Sequence, residues 1–187
     1  MPHARVRRQA LKFLGASSFA VLILASTGCN TKTSPTPENF TAALNARFLD
    51  HPDCLLPNPP RFPYETSDPA QTKQMDSLVK AQLLTVEKEI SIHASRYTPT
   101  TTGARVVPRF CYGHRVVTSI DSSTPPALAN GFPETQVTYH YEMKDVPIWA
   151  KTAEVQAAFP DMAQATSGQA SAKATLAKTL AGWQVPD

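Results

Sequence analysis

The chain has 187 residues, with 18 Lys and Arg against 15 Asp and Glu. That length suits one domain with its own hydrophobic core, while a total of 7 glycines with no glycine-rich run excludes a phosphate-cradling loop. The excess of positive charge comes from Arg5, Arg7, Arg8 and Lys12 at the start of the chain, so it is not the footprint of a nucleic-acid-binding surface.

Met1 to Cys29 has the layout of an export signal. A basic start without acidic residues is followed by the apolar run Phe13 to Ala25 and by the small residues Ser26-Thr27-Gly28 before Cys29. The run is too short for an ordinary transmembrane helix. Residues 1–28 are therefore expected to be a signal peptide, whose loss leaves 14 basic residues against 15 acidic ones.

Thr27-Gly28-Cys29 resembles the lipobox of bacterial lipoproteins, in which the cysteine is diacylated and becomes the new amino terminus. Ser26 stands where that family usually has Leu. The resemblance implies lipidation at Cys29 by palmitate-type chains, two of which suffice for stable anchoring in a membrane. Small residues at Ser26 and Gly28 also suit ordinary signal peptidase, which releases a soluble protein, but a cysteine at this one place favours the anchor. Arg7-Arg8-Gln9-Ala10-Leu11-Lys12 looks like a twin-arginine signal, and the general secretory route is the plainer alternative. By resemblance to enterobacterial lipoproteins, Asn30 after the cysteine favours the outer membrane.

Setting Cys29 aside leaves Cys54 and Cys111, which in an oxidising periplasm are most simply a disulfide. Closing that loop contributes on the order of 4 kcal/mol if the geometry is unstrained. Metal ligation is the weaker alternative, because no Cys/His spacing supports it.

Residues 29–36 read as a polar tether. A helix is expected from Thr36-Pro37, carrying Phe40, Ala43, Leu44, Ala46 and Phe48 and stopping near Pro52. Pro52 to Pro69 holds six prolines with Cys54, Phe62 and Tyr64, and is expected to be an extended strap packed on the domain. Ser67-Asp68-Pro69 restarts a helix with Met75, Leu78 and Val79 on one face, and Thr85 to Ile92 alternates as a strand whose return runs from Arg96 to Val107.

Leu78-Val79-Lys80-Ala81-Gln82-Leu83-Leu84 and Tyr97-Thr98-Pro99-Thr100-Thr101-Thr102-Gly103 resemble the last helix and the wing of a winged-helix domain. Gln82 and Pro99 depart from the usual Gly and Leu. The likeness covers about a third of residues 29–187, and the DNA binding it implies conflicts with the export signal and the charge, so it is kept as a fold fragment only.

Phe110 to Ile120 and Gln136 to Met143 each alternate as long strands, joined by a turn-rich connector, which points to an antiparallel pair with one buried face. Pro147-Ile148-Trp149 opens a further helix that ends at Pro160. The stretch near 161–172 is expected to be less ordered, with a short helix after it and Trp183 and Val185 docking the end of the chain. The expected fold is thus a single α+β domain over residues 37–187: two amino-terminal helices, a winged-helix-like β-hairpin, an antiparallel strand pair and a carboxy-terminal helix.

His114 and His140 fall on the two long strands, where they would face each other with Glu142 or Asp145 as a third polar group. Solvated strand histidines are the plainer reading; Arg109 and Arg115 flank Cys111 and could receive an anionic partner, with a solvated role again the plainer one. The serines lack a Gly-x-Ser-x-Gly frame, and no cofactor is implied. Two functions follow. The first is a lipid-anchored protein on the periplasmic face of the envelope that acts as a binding or assembly module for an envelope protein partner, with no nucleic acid. The alternative is a small periplasmic hydrolase or metal-binding enzyme that uses the strand histidines.

Overall fold

The computed structural model describes residues 31–168 and 170–186; the expected signal peptide, residues 1–28, and the expected lipidation site Cys29 lie outside the described residues. Thr36 starts the first helix, α1 (Pro37–Asp50). Its side chain accepts the Asn39 backbone N–H, and Pro37 fills the first turn, where a missing N–H costs nothing. Two short strands follow in the proline-rich strap, β1 (Asp53–Cys54) and β2 (Tyr64–Thr66). Asp68 and Pro69 repeat the same start for α2 (Pro69–Lys80), with Asp68 Oδ1 accepting the Gln71 N–H at 2.8 Å. Next come β3 (Leu84–Glu89), β4 (Ala94–Pro99), β5 (Cys111–Ser123), β6 (Ala127–Ala129) and β7 (Phe132–Lys144). The chain closes with α3 (Ala153–Ala158), α4 (Pro160–Ala165), β8 (Ala170–Thr179) and β9 (Gly182–Gln184).

Six strands form one curled antiparallel sheet in the order β1-β5-β7-β8-β9. β6 pairs with the start of β7 and continues the lane that β5 leaves at Ser123. Register shifts in β5 between Val117 and Ser119, and again between Ile120 and Ser122, are the kind of irregularity that bends a strand. The sheet closes on α1, which touches β5 on one side and β9 on the other. Asn45 Oδ1 accepts the Val117 N–H at 2.8 Å, so the helix supplies a partner to the edge of β5 that β1 is too short to cover. Phe40 and Leu44 of α1 pack here with Val117, Val137, Tyr139, Tyr141, Leu176 and Trp183.

A second core lies beyond the other end of β5. The small sheet, in the order β2-β4-β3, packs with α2, α3 and α4 around Met75, Leu78, Leu84, Tyr97, Phe110, Val155 and Met162. Leu55, Leu56, Phe62 and Tyr64 of the strap lie against this core, and Leu55 N–H and Leu56 N–H donate to the Phe110 and Arg109 carbonyls at 3.1 Å each. The strap is therefore part of the fold.

The expected α+β architecture is corrected by this topology, which is mostly β. α1 and α2 are not a pair, since each serves a different core. The long antiparallel pair is the centre of a larger sheet, and the expected carboxy-terminal helix is the strand β8, paired with β7 from Glu134↔Ala177 to Tyr141↔Ala170. Ala170, Ala172, Ala174 and Leu176 alternate with Ser171, Lys173 and Thr175, but alanine favours helix intrinsically and hides this period of two. Pairing with β7 overrides the local preference. The helix expected to end at Pro160 does stop there, as α3 with Phe159 at its C-cap, and Pro160 also opens α4 from its first turn.

Cys54 and Cys111 are bonded to each other and sit directly opposite across β1 and β5, with a sequence separation of 57. Replacing both by Ser should lower stability by about 2–4 kcal/mol. Urea unfolding of the variant, and of the unmodified protein with and without reductant, measures the loss.

Candidate functional site

Arg115 is the best-held charged side chain of the large sheet. Its Nε and Nη2 donate to Asp53 Oδ2 and Oδ1 at 3.1 and 2.7 Å, a forked pair spanning β5 and β1 one step from the disulfide. The guanidinium also lies over the rings of Tyr141 and Phe48, at 4.8 and 5.6 Å from their centroids. Burial alone works against its charge, but the hydrogen bonds and charge of Asp53 outweigh that and hold the Arg115 pKa above its ordinary value. An arginine committed to a carboxylate and two rings holds strands together and is not open to an anionic partner.

The histidines take separate places. His140 lies opposite Ser119 and His114 opposite Lys144, so they are four residues apart along the ladder, about 13 Å at the rise of a strand. His140 Nε2 is 3.0 Å from Asp121 Oδ2, and His114 Nδ1 is 3.4 Å from Asp145 Oδ2. Glu142 faces neither histidine's partner and pairs with Lys144 at 2.8 Å. The polar cluster expected from His114, His140 and Glu142 is thus three separate contacts, to Asp145, Asp121 and Lys144. Alternation placed the residues on the right strands; the relative slide of β5 and β7 was invisible to it. Among the described residues no group of three or more His, Cys, Asp or Glu side chains is placed to hold a metal ion.

Two concavities are candidates for a site. The larger, about 610 Å³, is an open groove between α1 and β9, with Ala43, Ala46, Trp183 and Val185 as apolar lining and Lys32 and Arg47 as polar lining. The smaller, about 320 Å³, is a notch on the far side of the sheet that holds Ser119, His140 and Gly168. β9 is the last strand in the order of the large sheet, so the groove runs beside a sheet edge. The sequence signal for this groove was the run of alanines on α1, which reads in isolation as ordinary helix composition. No family model, no curated protein and no solved structure matches the chain.

Two tyrosines outside these concavities report on burial. Tyr97 is pushed up to about 12 by burial and by its hydroxyl's 2.8 Å bond to Asp76. Tyr112 is pushed up to about 12 by burial and by the charge of Asp53, which Arg115 partly offsets. The unfolded chain releases such protons near its ordinary value of 10.0 and the folded one only near 12. Their contribution to stability is therefore complete below pH 10 and lost as the pH rises toward about 12. Absorbance titration of the phenolates should show this late step, and Tyr97→Phe should shrink it.

Arg115→Met leaves the Asp53 carboxylate without its partner, and should destabilise the protein by about 3–5 kcal/mol, with the Asp53→Leu/Arg115→Met double variant recovering most of the loss. Urea unfolding of the two variants beside the unmodified protein provides the comparison.

Proposed function

We propose that the protein is an exported component of the cell envelope, held to the membrane through acyl chains on Cys29 and acting as a binding or assembly module for another envelope protein. The observation that carries this reading is the Cys54–Cys111 disulfide, a bond that persists in oxidising compartments and is rare in the cytosol of mesophiles. It agrees with the export-type sequence of residues 1–29 and with the outer membrane that Asn30 favours in a Gram-negative cell. The open groove between α1 and β9 supports the binding role. An extended segment of a partner lying there would add to the β9 edge as a further strand, its side chains meeting the alanines of α1.

A small periplasmic hydrolase is the second reading, favoured by the approach of His140 to Asp121 at 3.0 Å beside Ser119. Substituting both Ser119 and His140 by Ala separates the two: the envelope phenotype is unchanged for a binding module and abolished for an enzyme.

Protein recovered from bacterial cells should have an intact mass that lacks residues 1–28, carries acyl chains on Cys29 and is short of the two thiol hydrogens of Cys54 and Cys111. A mass corresponding to free Cys29 sinks the anchor, and a photo-crosslinker at Ala46 that captures nothing in whole cells sinks the groove as a binding surface.

A further inference from the structure

One end of the large sheet gathers the entry of the chain and several exposed apolar side chains. Glu134 of β7 lies opposite Ala177 of β8, so the β6–β7 turn at Asn130-Gly131 and the β8–β9 turn at Leu180-Ala181 leave the sheet at the same end. The segment before α1 arrives there too. Its single 3₁₀ turn, Thr31–Thr33, packs on β9, and the Trp183 indole N–H donates to the Ser34 carbonyl at 3.0 Å. Gly182, at φ +125, makes room for it, since a Cβ there would stand 3.2 Å from the Lys32 carbonyl oxygen. Leu180, Leu128 and Phe132 at this end are 98%, 80% and 50% exposed.

From this juxtaposition we propose that this end of the sheet is a membrane-contacting rim, with Leu128, Phe132 and Leu180 entering the interfacial layer of a lipid bilayer. The proposal rests on the reading of Cys29 as acylated and adds the orientation of the domain. Residues 31–36, expected to form most of a tether, are folded against β9 and the start of α1, so the leash shrinks to the step from residue 29 to residue 31. Two residues reach at most about 7 Å, too little to lift the rim clear of the headgroups. Lys32 and Lys178 flank the rim, and lysine stems extend readily to anionic headgroups, whereas Glu134 is engaged by the Asn130 side chain at 3.1 Å. The isoleucines Ile90 and Ile92, also exposed, belong to the β3–β4 turn of the other core and serve as an internal control.

The test uses the chain as bacterial cells process it, in vesicles of phosphatidylethanolamine and phosphatidylglycerol whose acyl chains are brominated near the headgroup. Where intact mass shows Cys29 unacylated, a maleimide lipid is coupled there, so failure of the natural anchor and failure of the rim are read separately. Leu180→Trp and Phe132→Trp should lose at least about half of the added indole emission on bromination, while Ile90→Trp should be unaffected. Equal quenching at Leu180 and Ile90 overturns the proposal. So does emission from Leu180→Trp that ignores bromine but changes with protein density, which would assign the rim to a second copy of the chain.

Discussion

The forked pair between Arg115 and Asp53, with the Cys54–Cys111 bond beside it, is the constraint on which the two halves of the molecule depend. β5 runs through both cores: Tyr112, with Phe110 just before the strand, belongs to the one with α2 and the small sheet, and Val117 to the one under α1. Arg115 sits between them, at the seam. The chain leaving α1 must be held there within a few residues, or neither core keeps its boundary. A two-residue strand gives little ladder bonding for that purpose, so a covalent bond and a charge pair supplement it. Facing the guanidinium with Tyr141 and Phe48 lets the seam stay apolar on one side while it carries a charge on the other.

Local signals in the sequence were legible where one residue decides a conformation. Thr36-Pro37 and Asp68-Pro69 mark where α1 and α2 begin, because a capping oxygen and a fixed φ act without help from the rest of the fold. The disulfide followed from counting cysteines. What depended on distant pairing was not legible. The alanines of β8 carry a strand period that only β7 can enforce, and the shifts in β5 decide which residue His140 faces. Mistaking β8 for a helix changed the fold class, and placing His114 opposite His140 overlooked how far β5 and β7 slide past each other, which sets His114 opposite Lys144.

The same distinction explains the candidate site. His114, His140 and Glu142 each meet a different polar partner, as strand residues on a wet face commonly do, and the residues that bound the larger groove are ones that sequence reasoning assigned to packing. Alanine, glycine and tryptophan carry no chemical label, and only the meeting of α1 with β9 makes a surface from them. A concavity formed by two elements far apart in the chain leaves no motif in either.

The bond from the Trp183 indole to the Ser34 carbonyl joins positions 149 residues apart and sets a path for mechanical load. Tension applied at residue 31 meets β9, a three-residue strand at the margin of the sheet, through this bond, and follows the backbone into α1, which packs on both β5 and β9. The Phe40 and Trp183 rings, in edge contact at 5.2 Å, take up the next share. A load entering at that end is thus shared between the margin of the sheet and the helix that covers β5.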